Sequence, residues 1–232
     1  MKYTAIVLAA GKGTRMQSNV SKQFMELGGK PVVYYSLKAF EVSPVDNIIL
    51  VTGEKDIEFC RKEVVEKYGF TKVTAITAGG AERYLSVWNG IQAAGECDYI
   101  LIHDSARAFI DQETILRCMK DVRESKACVA AVPVKDTIKK VDEELKSTET
   151  PDRSRLWIIQ TPQVFEQKLV ADAYRMLAEE IAAGKAPSVT DDTMVVEYYM
   201  HKPAHMVMGS YYNLKVTTPE DLVFGNAILN NR

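Results

Sequence analysis

The chain has 232 residues, 47% hydrophobic and 26% charged, enough to bury the core of one α/β domain. Its 29 Lys and Arg balance 31 Asp and Glu, which leaves no broad basic field for nucleic acid. No apolar run nears the roughly 20 residues of a membrane span, so a cytoplasmic protein is expected, and any bound anion must meet a few positioned cations.

Residues 3–8 are apolar and β-branched and predict a first buried strand. It runs into Ala9-Ala10-Gly11-Lys12-Gly13-Thr14-Arg15-Met16. A second strand is expected at 47–52, followed by a helical stripe of Ile57, Cys60, Val64 and Tyr68. A third, at 72–77, ends at Gly79-Gly80, and Tyr84, Val87, Trp88, Ile91 and Ala94 then form another helical face. The fourth, at 99–103, ends at His103-Asp104, and Ile115, Cys118, Met119 and Val122 line the next helix. A fifth strand is expected at 128–134, with helices at 166–183 and 219–230, and Thr190-Asp191-Asp192 has the pattern of a helix N-cap followed by two acids. Near-continuous apolar strands alternating with helices predict a mostly parallel, twisted sheet covered on both faces.

One segment breaks the rhythm. Residues 135–153 are dense in charge and hold two short β-like pieces, at 136–141 and 148–152. They suit a surface hairpin, or an arm that reaches a partner subunit, embedded in a single domain spanning 1–232. The four cysteines, Cys60, Cys97, Cys118 and Cys128, form no CxxC pair, and His103, His201 and His205 add no zinc spacing. Reduced core thiols are expected.

Ligands of open parallel sheets bind outside the carboxyl ends of the strands, so the loops at Ala9–Met16, Gly79-Gly80 and His103-Asp104 should share one crevice. The first loop is neither GxxxxGK[ST] nor GxGxxG, and on its own it is a weak nucleotide signal. Lys12, Arg15 and Lys22 follow closely. Such cations are ordinarily solvated, but beside a small-residue loop they suit a phosphate site.

LAAGKGTRM with Lys22-Gln23-Phe24 resembles the opening of the cytidylyltransferases that act on 2-C-methyl-D-erythritol 4-phosphate. The similarity continues in order through GGAERYLSV at 79–87, HDSAR at 103–107, VKDT at 134–137, DRSRLWIIQTPQ at 152–163, TDD at 190–192 and NLKVTTPEDL at 213–222. Seven ordered motifs span nearly the whole chain. The resemblance implies a Rossmann-like sheet with a protruding β-arm, a homodimer joined through that arm, CTP as co-substrate and Mg²⁺. It places Arg15 and Lys22 at the reacting phosphate, and Lys215 with the partner arm's Arg153 and Thr137 at the acceptor phosphate. Asp104, Arg107 and Thr190 match positions near the acceptor hydroxyls, with Asp104 also a candidate metal ligand, although the Mg²⁺ would be held mainly by the CTP phosphates. Ala9, Ala10, Gly11, Gly13, Gly80, Arg83, Ser86 and Ala106 match the CTP pocket.

The implied chemistry agrees with what the chain lacks. A phosphate monoester is mostly dianionic at pH 7, so it attacks without a general base, and no Ser-His-Asp or Cys-His constellation is evident. Two departures touch the pocket: Ala108 stands where the family commonly has Pro, and Ala81 where an acidic residue occurs. HDS in place of HDA keeps a ribitol 5-phosphate cytidylyltransferase as the alternative. A non-catalytic CTP-binding module is a third reading, one that would not need both phosphate clamps.

Overall fold

A computed structural model describes residues 1–11, 21–185 and 188–230 of the chain. It opens with β1 (Tyr3–Ala9), the short pair β2 (Glu26–Leu27) and β3 (Lys30–Pro31), α1 (Val32–Glu41) and β4 (Asn47–Thr52). There follow α2 (Ile57–Phe59), prolonged by a π-helical stretch at Cys60–Glu66, then β5 (Val73–Ala78), α3 (Arg83–Ala93), β6 (Tyr99–Asp104), α4 (Gln112–Ser125) and β7 (Ala127–Pro133). The arm carries β8 (Lys140–Val141) and β9 (Ser147–Glu149). The chain closes with β10 (Trp157–Glu166), α5 (Gln167–Ala182), α6 (Asp192–Met200), β11 (His205–Met208) and α7 (Pro219–Asn230).

Seven strands make one sheet in the order β11-β7-β10-β6-β1-β4-β5. Every neighbouring pair is parallel except those of β10, which runs antiparallel to both β6 and β7. The mostly parallel, Rossmann-like α/β sheet matches the expectation. All seven residues of β1 are buried, as both faces of a covered sheet demand. On one face Val33, Leu37 and Phe40 of α1 pack with Cys60, Val64 and the Ile115, Cys118 and Val122 stripe of α4. On the other, Val87 and Ile91 of α3 pack with Val170, Tyr174 and Leu177 of α5 and Val195 and Val196 of α6. Each fully buried large apolar side chain contributes about 1.5–3 kcal/mol. A smaller cluster of Leu27, Val32, Ala108, Phe109 and Val216 seats α7 over one end.

Three elements lack a legible period in the sequence. Helix α1 begins Val-Val-Tyr-Tyr, a strand-like run overridden by the burial of Val33, Leu37 and Phe40. Strand β10 is interrupted by polar residues and Pro162 at a register shift between Ile159 and Gln163. Strand β11 has four residues at the sheet edge. The cap of α6 is Asp191, whose carboxylate accepts the Met194 N–H at 2.9 Å, and not Thr190 as the TDD string suggested. On the loop that follows β11, Tyr211 and Tyr212 are 47% and 64% exposed.

The arm is a hairpin with β8 and β9 antiparallel, in register Lys140 to Glu149 and Val141 to Ser147. Its strands are shorter than the 136–141 and 148–152 pieces expected. Residues 135–150 are exposed throughout. At its base, Arg153 donates from Nη1 to the Lys135 carbonyl at 2.9 Å.

Candidate active site

The chain departs from β1 toward β4 and β5 on one side and returns to place β6 on the other. A crevice opens at such a reversal. Three strand ends meet there, and small residues let them meet. A Cβ on Gly79 would stand 2.4 Å from the Ala10 Cβ and 2.8 Å from Ser86 Oγ, and one on Gly80 2.3 Å from the Leu85 Cβ. Ser86 locks the second loop, since its Oγ accepts the Gly80 N–H at 3.1 Å and donates to the Glu82 carbonyl at 3.2 Å.

The result is a half-open cleft of about 200 Å³. Of the residues singled out in the sequence, it brings together Ala9, Ala10, Gly11, Lys22, Gly80, Arg83, Ser86, Asp104, Ala106 and Lys215. Lys22 begins a 3₁₀ turn, Lys22–Phe24, and its Cε lies 3.8 Å from where a Gly11 Cβ would be. Gly13 and Arg15 lie outside the described residues. Gln23 and Glu82 also line the cleft. Both stand inside matched motifs, which was the signal that could have found them.

Asp104, at the end of β6, is the electrostatic centre. Arg83 Nε donates to its Oδ1 at 3.1 Å and Lys215 Nζ to its Oδ2 at 2.7 Å. Burial alone would push this carboxyl up, but Arg83, Lys215 and Arg107 outweigh it and hold it far below the usual carboxylate range. It is therefore an anion at any working pH and cannot serve as a general acid. Arg83 in turn places Nη1 and Nη2 on the two oxygens of Asp192, each at 2.8 Å. Burial opposes its charge, yet Asp192 and Asp104 raise its pKa well above the usual arginine value.

The bulged strand β10 explains how Lys215 arrives. Its register shift turns Gln160 and Thr161 inward, where bulges characteristically re-aim side chains. Gln160 Nε2 donates to the Ser210 carbonyl at 2.8 Å, and Asn213 Nδ2 donates to the Thr161 carbonyl at 2.9 Å. Gly209 leaves room for this amide, since a Cβ there would stand 2.5 Å from Gln160 Oε1. The Val216 N–H then bonds the Ala106 carbonyl at 2.8 Å, which ties the Lys215 segment to the turn after Asp104.

His103 lies beneath this turn and is fully buried. Its Nε2 faces the Arg107 carbonyl at 3.2 Å, which can only accept, so Nε2 carries the proton. Nδ1 then accepts from Thr161 Oγ1 at 2.9 Å, and that same hydroxyl accepts the Asp104 N–H at 3.2 Å. Burial lowers the imidazole pKa to about 4, so the ring stays neutral. It holds the turn, and it lies outside the cleft lining.

Four expected contacts do not line the cleft of this single chain. Arg107 directs Nη1 to the Asn213 carbonyl at 2.8 Å and Nη2 to the Ile159 carbonyl at 3.1 Å, bracing the loops behind the site. Thr137 and Arg153 belong to the arm and its base. Thr190 is exposed, with its hydroxyl 3.6 Å from Met194 Sδ. No group of three or more His, Cys, Asp or Glu able to hold a metal occurs among the described residues. Both oxygens of Asp104 are taken by cations, so the donor set does not make a protein-ligated metal cage.

A switch-point cleft floored by small residues and flanked by lysine and arginine side chains defines the class: an α/β protein that receives a nucleotide at the carboxyl edge of its sheet. The family model for 2-C-methyl-D-erythritol 4-phosphate cytidylyltransferase matches residues 3–231. The chain is 48% identical to the enzyme of that name from Lachnoclostridium phytofermentans, over 98% of this chain and 96% of the relative. It is 50% identical to that of Lachnospira eligens, over 97% and 98%. The crystal structure of 4-diphosphocytidyl-2C-methyl-D-erythritol synthase from Anaerococcus prevotii superposes with a TM-score of 0.84 at 33% identity, over 99% and 96% of the two chains. The chain belongs to the 2-C-methyl-D-erythritol 4-phosphate cytidylyltransferase family.

Proposed function

We propose that the protein transfers CMP from CTP to 2-C-methyl-D-erythritol 4-phosphate, releasing pyrophosphate, as a step of isoprenoid synthesis. An oxygen of the acceptor phosphate forms a bond to the α-phosphorus of CTP, and the bond between that phosphorus and the bridging oxygen of pyrophosphate breaks. The acceptor is already an anion, so no proton has to be removed. The cleft suits that demand, since its buried carboxylate is ion-paired and its nearby imidazole is neutral and set back. The observation that carries the reading is Asp104 holding Lys215 and Arg83 at the edge of a cleft floored by Ala9–Gly11 and Gly80.

In this reading Lys22, with Arg15, stabilises charge at the α-phosphate, and Lys215 seats the acceptor phosphate. Fixed donors of this kind act where charge develops in the transition state. The exposed arm supplies Arg153 and Thr137 to a second copy of the chain, making a homodimer. A divalent ion would come with the triphosphate, bound to its oxygens. No helix among the described residues is long and apolar enough to cross a membrane, and we place the enzyme in the cytoplasm.

Pyrophosphate release from CTP, with methylerythritol 4-phosphate and ribitol 5-phosphate offered separately, tests the reading. A kcat/KM advantage for the first is expected, and an advantage for the second would overturn the acceptor assignment. The shared site has its own test: mixing Arg153→Ala subunits with Lys22→Ala subunits should restore part of the activity, and no recovery in demonstrated heterodimers would argue against it.

A further inference from the structure

Asp192 is wholly buried and lies outside the cleft, yet it faces Arg83, the cation that also pairs with Asp104. It is the first residue of α6, and its carboxylate is held on three sides. Arg83 grips both oxygens at 2.8 Å, and the Tyr174 hydroxyl donates to Oδ1 at 2.5 Å. A continuous chain of charged hydrogen bonds thus runs Tyr174–Asp192–Arg83–Asp104–Lys215. It joins α5, α6, α3, the end of β6 and the loop before α7, and it sums to two cations and two anions.

The geometry of Arg83 gives this chain a consequence. Its bidentate edge is committed to Asp192, so only Nε is offered to Asp104, at 3.1 Å on Oδ1. That leaves Oδ2 for Lys215 at 2.7 Å. A guanidinium released from Asp192 would turn its planar fork to the remaining carboxylate, the arrangement arginine favours. It would then compete with Lys215 for Asp104. A buried ion pair is often no more stabilising than apolar residues of similar volume, so fold stability alone is a weak reason for an aspartate at this position.

We infer that Asp192, steadied by Tyr174, is a positioning residue for acceptor binding: by fixing the face of Arg83 it reserves one oxygen of Asp104 for Lys215 and so aims the lysine into the cleft. This rests on the reading of Lys215 as the seat of the acceptor phosphate. Outer partners that orient metal ligands typically cost about 10–100-fold in affinity or activity when removed, and the same scale is expected for a partner that orients a phosphate-binding lysine. Asp192→Asn should therefore raise the KM for methylerythritol 4-phosphate by about 10-fold or more, while the KM for CTP moves less than about 3-fold. A residue needed only for folding would lower active enzyme without separating the two KM values.

The test is steady-state kinetics on Asp192→Asn, Tyr174→Phe, Lys215→Ala and the Asp192→Asn/Lys215→Ala pair, each with a thermal melt. Tyr174→Phe keeps the ion pairs and guards against a misfolded aspartate variant. It should shift the acceptor KM in the same direction, by about 2–5-fold. The double variant should be no worse than Lys215→Ala alone, since the aspartate acts through the lysine. If Lys215→Ala impairs acceptor use but folded Asp192→Asn and Tyr174→Phe do not, the positioning role is overturned and the function stands. Unchanged acceptor kinetics in Lys215→Ala would overturn the lysine's assignment, and the positioning role with it.

Discussion

The cleft and the arm contain similar ion pairs in opposite surroundings. Lys215 meets Asp104 at 2.7 Å, and Lys140 meets Glu149 on the arm at 2.8 Å. By distance they are the same interaction. The Asp104 side chain is only 12% exposed, however, while Lys140 and Glu149 are 68% and 53% exposed. Water and salt screen the arm pair to almost nothing. In the cleft the same attraction fixes the charge of Asp104 and the place of Lys215, and its loss leaves charges without a partner. Burial, and not separation, sorts structural or chemical pairs from decoration.

The sharpest way to test that contrast is to remove single charges and rank the losses. Lys22→Ala should reduce kcat by about 10²–10³-fold, the usual effect of losing one preorganised transition-state donor. Rapid-quench or pyrophosphate-release assays would show it, and a loss below 10-fold would return Lys22 to the class of ordinary surface lysines. Asp104→Asn leaves Lys215 without its carboxylate and Arg83 with one of its two. It should cost about 3 kcal/mol in urea unfolding, the lower end for breaking a buried pair.

A pH titration reaches the buried layer under the cleft. The unfolded chain takes up a proton on His103 near pH 6.5, but the folded chain only near about 4. Between those values the unfolded state binds more protons, so stability should be level above pH 7 and fall as pH drops from 6.5 toward 4, by about 3 kcal/mol at most. Replacing His103 with Gln should flatten that limb. A limb that survives unchanged would assign the acid sensitivity elsewhere. The smallest effect belongs to the arm: Lys140→Ala should leave Tm within about 2 °C of the parent. A larger shift would show the arm pair to be covered in solution, as an arm packed on a second subunit would be.

The two regions also differ in how far they could be anticipated. Apart from α1, strand–helix alternation along the first half of the chain was written plainly in its apolar periods, because parallel strands buried on both faces cannot be disguised. The convergence of Ala9–Gly11, Gly80 and Asp104 followed from topology alone. The extent of the arm was visible as a charged interruption, though its strands proved shorter. Helix α1 and strand β10 were not legible, the one beginning with β-formers and the other broken by a bulge.

The parallel sheet, the position of the crevice and the motifs that mark the family were all readable along the chain, since these depend on local period, small residues and order of residues. Which charges are paired became visible in the folded chain alone. Asp192 had the look of a dipole-end acid and is the buried anchor of Arg83, and Arg107 had the look of a ligand contact and braces two carbonyls. Pairings between residues as much as 111 positions apart, as in Asp104 with Lys215, leave no local pattern. A charge is given its role by the partners and the dielectric that folding brings to it.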